Sequence, residues 1–124
     1  MPMSGDDDAL YFDSIHHAAA VVGINTSAMV ESFIQRKPVL TIRDAAFAET
    51  QEGTPHFKEL RAAAGPALAV AGSVDEHLDQ LRAALDDPAG AAAGAQAFLL
   101  AFVRPHGLDR PATPIVADAI EAAR

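Results

Sequence analysis

The chain has 124 residues, a formal net charge of -8 and no cysteine. Its length fits one small domain, and because 50% of its residues are hydrophobic the composition is that of a globular protein rather than a disordered one. The negative charge argues against binding to nucleic acid or to an anionic membrane surface, and the lack of cysteine excludes disulfides and thiolate metal sites.

The sequence shows no recognisable membrane or export signal. No apolar run is long enough to span a bilayer, and the acidic first segment, MPMSGDDDAL, lacks the apolar centre of a signal peptide. We therefore predict a cytoplasmic protein without a membrane span. Residues 1–5 read as a disordered or added tail, and residues 1–124 as one domain.

Hydrophobic periodicity and turn residues predict alternating helices and strands in the first part of the chain. The predicted elements are helix Asp6–Ala19, buried strand Ala20–Ile24, helix Ala28–Arg36, strand Pro38–Ile42, a loop at Arg43–Pro55, helix His56–Ala63 and strand Ala67–Ala71. The buried faces of the first two helices are predicted to consist of Tyr11, Phe12, Ile15 and Ala19, and of Met29, Val30, Phe33 and Ile34.

The last part of the chain is predicted to be helical. Ser73 and Glu76 form a capping-box pattern that starts a helix, and Pro88 ends it. An alanine-rich segment is predicted to be helical over Gln96–Val103, and Thr113 and Pro114 to start the last helix. The residues predicted to face inward are Val74, Leu78, Leu81 and Leu85 in the first of these helices, and Ile115, Val116, Ala119 and Ile120 in the last.

This order of elements predicts an α/β fold. Strands that alternate with helices favour a small Rossmann-like parallel sheet of about three strands with right-handed crossovers and flanking helices, followed by a helical C-terminal part.

The segment between the first two strands predicts a binding site for an anion. Asn25, Thr26, Ser27 and Ala28 lie where a strand turns into a helix, and Glu31 follows one turn later. Backbone N–H groups and hydroxyls at such a turn can hold phosphate, and the carboxylate can accept hydrogen bonds from the hydroxyls of a ribose. An ordinary helix cap with a glutamate in the first turn explains the same residues, so both interpretations stay open.

Two further residues are candidates for this site. Arg43 directly follows the second strand, and His56 follows the long predicted loop, where binding residues often concentrate. The five histidines of the chain lack the spacing of a metal-binding helix, and the sequence has no nucleotide fingerprint rich in glycine. We therefore predict no metal site and no cofactor.

The stretch GINTSAMVESFIQRKPVLTIRD resembles the donor-binding half of GT-B-fold glycosyltransferases of bacterial surface and capsule polysaccharides. It is more distantly similar to the UDP-N-acetylglucosamine 2-epimerases, with which it shares Arg43 and Asp44 after the second strand. Arg36 stands where the family pattern has glycine, and the acidic, proline-containing motif that follows in the epimerases is not recognisable. The likeness extends over roughly Asp6 to Glu121.

The resemblance implies that the chain is the C-terminal half of a two-domain glycosyltransferase. Its ligand would be a nucleoside diphosphate or a nucleotide-sugar, and its partner an N-terminal acceptor domain. The isolated chain would then be inactive, and a homo-oligomer is an open alternative because a half-enzyme exposes apolar surface. Two other functions remain open, namely a non-catalytic flavodoxin-like binding module and a fragment of an epimerase-like isomerase.

Overall fold

The computed structural model describes residues 5–123, and these residues confirm the α/β fold. Residues 1–4 of the predicted tail lie outside the described residues, while Gly5 begins the first helix. The helices are α1 (Gly5–His17), α2 (Ala28–Ile34), α3 (Pro55–Ala64), α4 (Val74–Asp86), α5 (Pro88–Phe98) and α6 (Ala112–Ala122). The strands are β1 (Val21–Val22), β2 (Val39–Ile42) and β3 (Leu68–Ala71).

The sheet follows the order of the chain. The three strands pair in parallel in the order β1-β2-β3, with Val21 opposite Val39 and Leu40 opposite Ala69. The crossovers are α2, between β1 and β2, and α3, between β2 and β3. Because right-handed crossovers that move in one direction lie on one side of a sheet, α2 and α3 share a face. The carboxyl ends of all three strands therefore lie at one edge.

The main core lies between the sheet and α2, α3 and α5. Phe33 of α2 and Phe98 of α5 meet with ring centroids 4.5 Å apart. The buried residues of this cluster are Met29, Phe33, Val39, Leu60, Ala64, Leu68, Ala95, Phe98 and Leu99. The opposite face of β2 and β3 packs against α4, since alternate side chains such as Leu40 point to that side.

Several predicted burials are wrong for α1, α2 and β1. Ile15 is buried as predicted, but Phe12 and Ala19 are exposed and Tyr11 is half-buried. In α2, Met29 and Phe33 are buried, whereas Ile34 is exposed. The segment predicted as a buried strand leaves Val22 49% and Ile24 50% exposed, and among the described residues β1 is an edge strand of the sheet.

The stripe predicted to bury α4 is also wrong. Ser73 starts the helix as predicted, with its Oγ accepting a hydrogen bond from Glu76 N at 3.2 Å. Leu81 is half-buried, but Val74, Leu78 and Leu85 are exposed.

The remaining differences concern element bounds and the last helix. The predicted loop at Arg43–Pro55 contains a 3-10 helix, Ala45–Thr50, and α5 already begins at Pro88. Leu99–Val103 is a π-helical turn that extends α5. The last helix begins at Ala112, before Thr113, and the predicted inward residues Val116, Ala119 and Ile120 are exposed, while Ile115 is half-buried.

Candidate functional site at the carboxyl edge of the sheet

The turn from β1 into α2 requires a glycine at position 23. A Cβ atom on Gly23 would lie 2.6 Å from Cγ of Met29, which is fully buried beneath the turn. The close approach brings the strand end and the start of α2 together. Thr26 and Ser27 follow on the surface, and the Ser27 hydroxyl makes no capping hydrogen bond. Thr26 Oγ1 accepts a long hydrogen bond of 3.4 Å from Ala28 N.

Asn25 links this turn to the start of α3. Its Nδ2 donates to the backbone oxygen of Thr50 at 2.9 Å and to Thr54 Oγ1 at 3.0 Å. Its Oδ1 lies 3.0 Å from Nδ1 of His56. Since an amide oxygen only accepts, Nδ1 carries a proton in this arrangement, and Nε2 of the neutral ring is then an acceptor that becomes a second donor on protonation. The structure therefore brings together two predicted site residues, Asn25 and His56.

A buried glutamine fixes the geometry beneath this contact. Gln51 is 1% exposed, and the two hydrogens of its Nε2 are shared among three acceptors, Ile24 O at 2.9 Å, Thr41 Oγ1 at 3.0 Å and Ile42 O at 3.0 Å. These bonds tie the ends of β1 and β2 to the segment that leads into α3. Sequence reasoning missed Gln51, because a polar residue within a predicted loop carries no periodic signal of burial.

Arg43 belongs to a cluster of charges on the same edge. Its Nη1 lies 2.8 Å from Oε1 of Glu52, and Nη1 of Arg61 approaches the same oxygen at 3.4 Å. The hydrogen bond and charge of Glu52 raise the pKa of Arg43 above its ordinary value, and the charge of Glu76 adds to this. All three residues of this triad are partly exposed, so solvent screens the pairs and an incoming anion can compete with Glu52 for the guanidinium groups.

Glu31 contacts α1 rather than the turn. Tyr11 donates its hydroxyl hydrogen to Oε2 of Glu31. Partial burial, followed by the hydrogen bond and the negative charge of Glu31, raises the pKa of Tyr11 to about 12. A ribose at Glu31 would therefore have to share the carboxylate with Tyr11 or displace it. Sequence reasoning missed this pairing, since the two residues are 20 positions apart.

Helix α2 has only seven residues, so its dipole is short and the hydroxyl, amide and imidazole groups around it dominate the chemistry of the edge.

A cavity of about 350 Å³ opens at the other end of the sheet, where β2 and β3 begin. Its lining is mostly alanine, glycine and proline. Its one carboxylate, Asp87, caps α5 by accepting a hydrogen bond from Gly90 N at 2.9 Å. The side chains of Asn25, His56 and Arg43 thus lie at the carboxyl edge and not at this cavity.

Within residues 5–123, no group of three or more histidine, aspartate or glutamate side chains is arranged to hold a metal ion. In the same part of the chain, no helix combines the length and apolar character needed to cross a bilayer.

Comparison with known proteins finds no family model, curated protein or solved structure that matches this chain.

Proposed function

We propose that the chain binds a nucleoside diphosphate or a nucleotide-sugar at the carboxyl edge of its sheet. In this proposal it is the donor-binding domain of a cytoplasmic GT-B-type glycosyltransferase for surface polysaccharide. The contact between Asn25 and His56 carries the proposal, because it joins the two crossover connections at the edge where open α/β sheets bind ligands.

The chemistry around this contact suits a diphosphate. Thr26 and Ser27 present hydroxyl groups, His56 presents a ring nitrogen, and Arg43 and Arg61 add positive charge. The hydroxyls and the backbone N–H groups of the turn can donate to phosphate oxygens, His56 adds a donor when both of its ring nitrogens carry protons, and the two guanidinium groups can balance the negative charge. In the full enzyme the same groups would stabilise the charge that develops on the departing nucleoside diphosphate.

NMR titration of the chain with UDP, CDP and GDP tests the location of the site. We expect the largest shifts at the amides of Thr26, Ser27 and Ala28 and at the ring of His56, because these groups surround the proposed phosphate position. The proposal is wrong if none of the three nucleotides binds, or if the largest shifts fall in α5 and α6.

A pair of arginine variants tests the role of positive charge. Arg43→Gln should weaken binding of UDP and of inorganic pyrophosphate by about tenfold, as expected for the loss of one charge-assisted hydrogen bond. Arg82→Gln is the matched control, because Arg82 is also exposed and also pairs with a carboxylate, Asp79, but lies on α4. Equal weakening by both variants would indicate a nonspecific effect of net charge and would contradict the proposed site.

A further inference from the structure

Glu52 places a negative charge between two arginines at the carboxyl edge of the sheet. Its Oε1 lies 2.8 Å from Nη1 of Arg43 and 3.4 Å from Nη1 of Arg61. The three residues come from different parts of the edge, since Arg43 follows β2, Arg61 lies in α3 and Glu52 precedes that helix. Two guanidinium groups that converge on one carboxylate oxygen have an arrangement that also suits a phosphate oxygen.

The backbone on both sides of Glu52 is held in place. The buried side chain of Gln51 bonds to backbone oxygens just after β1 and at the end of β2, and Gly53 N donates to Ala48 O at 2.7 Å. A Cβ atom at position 53 would lie 3.0 Å from Glu49 O, so the chain is tightly packed there. When an anion arrives, the side chain of Glu52 can therefore move, but its carboxylate stays within reach of the two arginines.

Glu76, the other carboxylate whose charge acts on Arg43, is committed to different partners. Its Oε2 accepts a hydrogen bond from Gly72 N at 2.7 Å, and its Oε1 accepts one from Gln80 Nε2 at 3.3 Å. The side chain of Glu52 has no partner besides the two arginines among residues 5–123. The carboxylate that an anion meets at these guanidinium groups is therefore that of Glu52.

We propose that Glu52 competes with the bound ligand for Arg43 and Arg61 and thereby limits how tightly the edge binds phosphate groups. An entering anion gains less from the two guanidinium groups because a carboxylate already balances part of their charge. In a transferase this competition favours release of the nucleoside diphosphate after the sugar has left. The identity of the ligand rests on the proposed function, whereas the competition applies to any phosphate group that reaches the two arginines.

Matched glutamine variants test the competition by calorimetric titration with inorganic pyrophosphate and with UDP in moderate salt. Glu52→Gln should lower the dissociation constant of both ligands at least about fivefold, because an exposed ion pair is worth up to about fivefold and two are removed. Glu49→Gln is the control, because it changes the net charge equally and Glu49 is exposed without an ion pair in the described part of the chain. It should change the constant less than about twofold. Thermal unfolding by circular dichroism establishes that both variants fold.

Two further measurements separate competition from simple repulsion. In Arg43→Gln, Glu52 competes for Arg61 alone, so adding Glu52→Gln should lower the dissociation constant of pyrophosphate less than about threefold. In the unmodified chain, the NMR signal of the Glu52 carboxyl carbon should shift when pyrophosphate is added, while that of Glu49 stays unchanged.

The proposal is overturned if Glu52→Gln binds pyrophosphate no more tightly than Glu49→Gln does, if the gain in affinity is as large in Arg43→Gln as in the unmodified chain, or if the Glu52 carboxyl signal does not respond. The nucleotides separate this outcome from failure of the proposed function. If Glu52→Gln binds pyrophosphate more tightly but none of UDP, CDP and GDP binds, the proposed function is wrong and the competition stands. If UDP binds at the edge with equal affinity in the unmodified chain and in Glu52→Gln, the competition is wrong and the proposed function stands.

Discussion

Tyr11 is the single tyrosine of a chain that has no tryptophan, so its ionisation can be followed directly by ultraviolet absorbance. Its hydroxyl donates to Glu31, and its pKa is raised to about 12 from an ordinary value of 10.0. A raised pKa means that the folded chain holds this proton more tightly than the unfolded chain does. The resulting stabilisation is complete below about pH 10 and is lost as the pH rises through about 12.

Glu31→Gln should lower the pKa of Tyr11 towards its ordinary value, because the variant removes the negative charge. The free energy of unfolding should fall by less than about 1 kcal/mol near neutral pH, since Tyr11 is partly solvent-exposed and the interaction is screened. Absorbance titration and urea unfolding measure the two effects. Glu59→Gln is the control, because Glu59 is an exposed glutamate of α3; an equal fall in the pKa of Tyr11 would contradict this role of Glu31.

The same titration addresses the ribose hypothesis. If Glu31 accepts hydrogen bonds from the ribose of UDP, the Tyr11 hydroxyl loses part of its contact and its pKa should fall when UDP is bound. Inorganic pyrophosphate has no ribose and should leave the pKa of Tyr11 unchanged. Equal responses to both ligands would argue against a contact between Glu31 and ribose, while leaving the proposed phosphate site intact.

The connection between α2 and β2 depends on an unusual backbone conformation. Arg36 has a φ of 57°, the left-handed region that favours glycine, and Lys37 N closes the end of the helix by donating to Ser32 O at 3.0 Å. The side chain of Arg36 also contacts α5, because its Nε and Nη2 donate to Oε1 of Gln96 at 3.1 and 2.9 Å. Glycine adopts this backbone conformation without strain, so it would suit this position.

Gln96→Ala should lower the free energy of unfolding by about 0.5–1.5 kcal/mol, because it removes the acceptor of both bonds. When Arg36→Gly is added to Gln96→Ala, the free energy of unfolding should be about 1 kcal/mol higher than that of Gln96→Ala alone. The reason is that glycine relieves the backbone strain, while no contact between Arg36 and Gln96 remains to be lost. Arg82→Gly, within α4, should instead be destabilising by about 0.5–1 kcal/mol, as glycine is inside a helix. Urea unfolding checks all three, and a further loss of stability from Arg36→Gly would contradict the expected relief of strain.

The fold was predictable because its signals are local. The apolar runs before Asn25 and after Pro38 predict β1 and β2, and Ser73 with Glu76 predicts the start of α4. Exposure was less predictable, because the apolar spacing of Leu78 and Leu85 predicts a buried face whether or not another layer is present to cover it. For the candidate site, the parallel order of strands places Asn25 and His56 at the same edge of the sheet, but their contact is known only from the structure. The roles of Gln51 and Tyr11 could not be predicted from the sequence, since both depend on tertiary contacts between distant positions.

The last prediction concerns catalysis and rests on the proposal that the chain is the donor domain of a two-domain transferase. In the proposed function, the carboxyl edge of this sheet binds the diphosphate near Thr26, Ser27 and His56, but transfer also needs an acceptor hydroxyl and a general base that removes its proton. Among the described residues, the carboxylate of Glu52 at this edge is paired with Arg43 and Arg61, which leaves it poorly suited to act as that base.

The purified chain should therefore bind UDP-, CDP- or GDP-sugars without transferring the sugar. Transfer to a panel of sugar acceptors and release of free nucleoside diphosphate are measured together, because release without transfer would reveal hydrolysis. The transfer and release measured with Arg43→Gln serve as the background values, since this variant should bind the same ligands more weakly. Transfer above that background would contradict the donor-domain proposal, because the chain would then contain the complete catalytic machinery. Binding without transfer is the expected result.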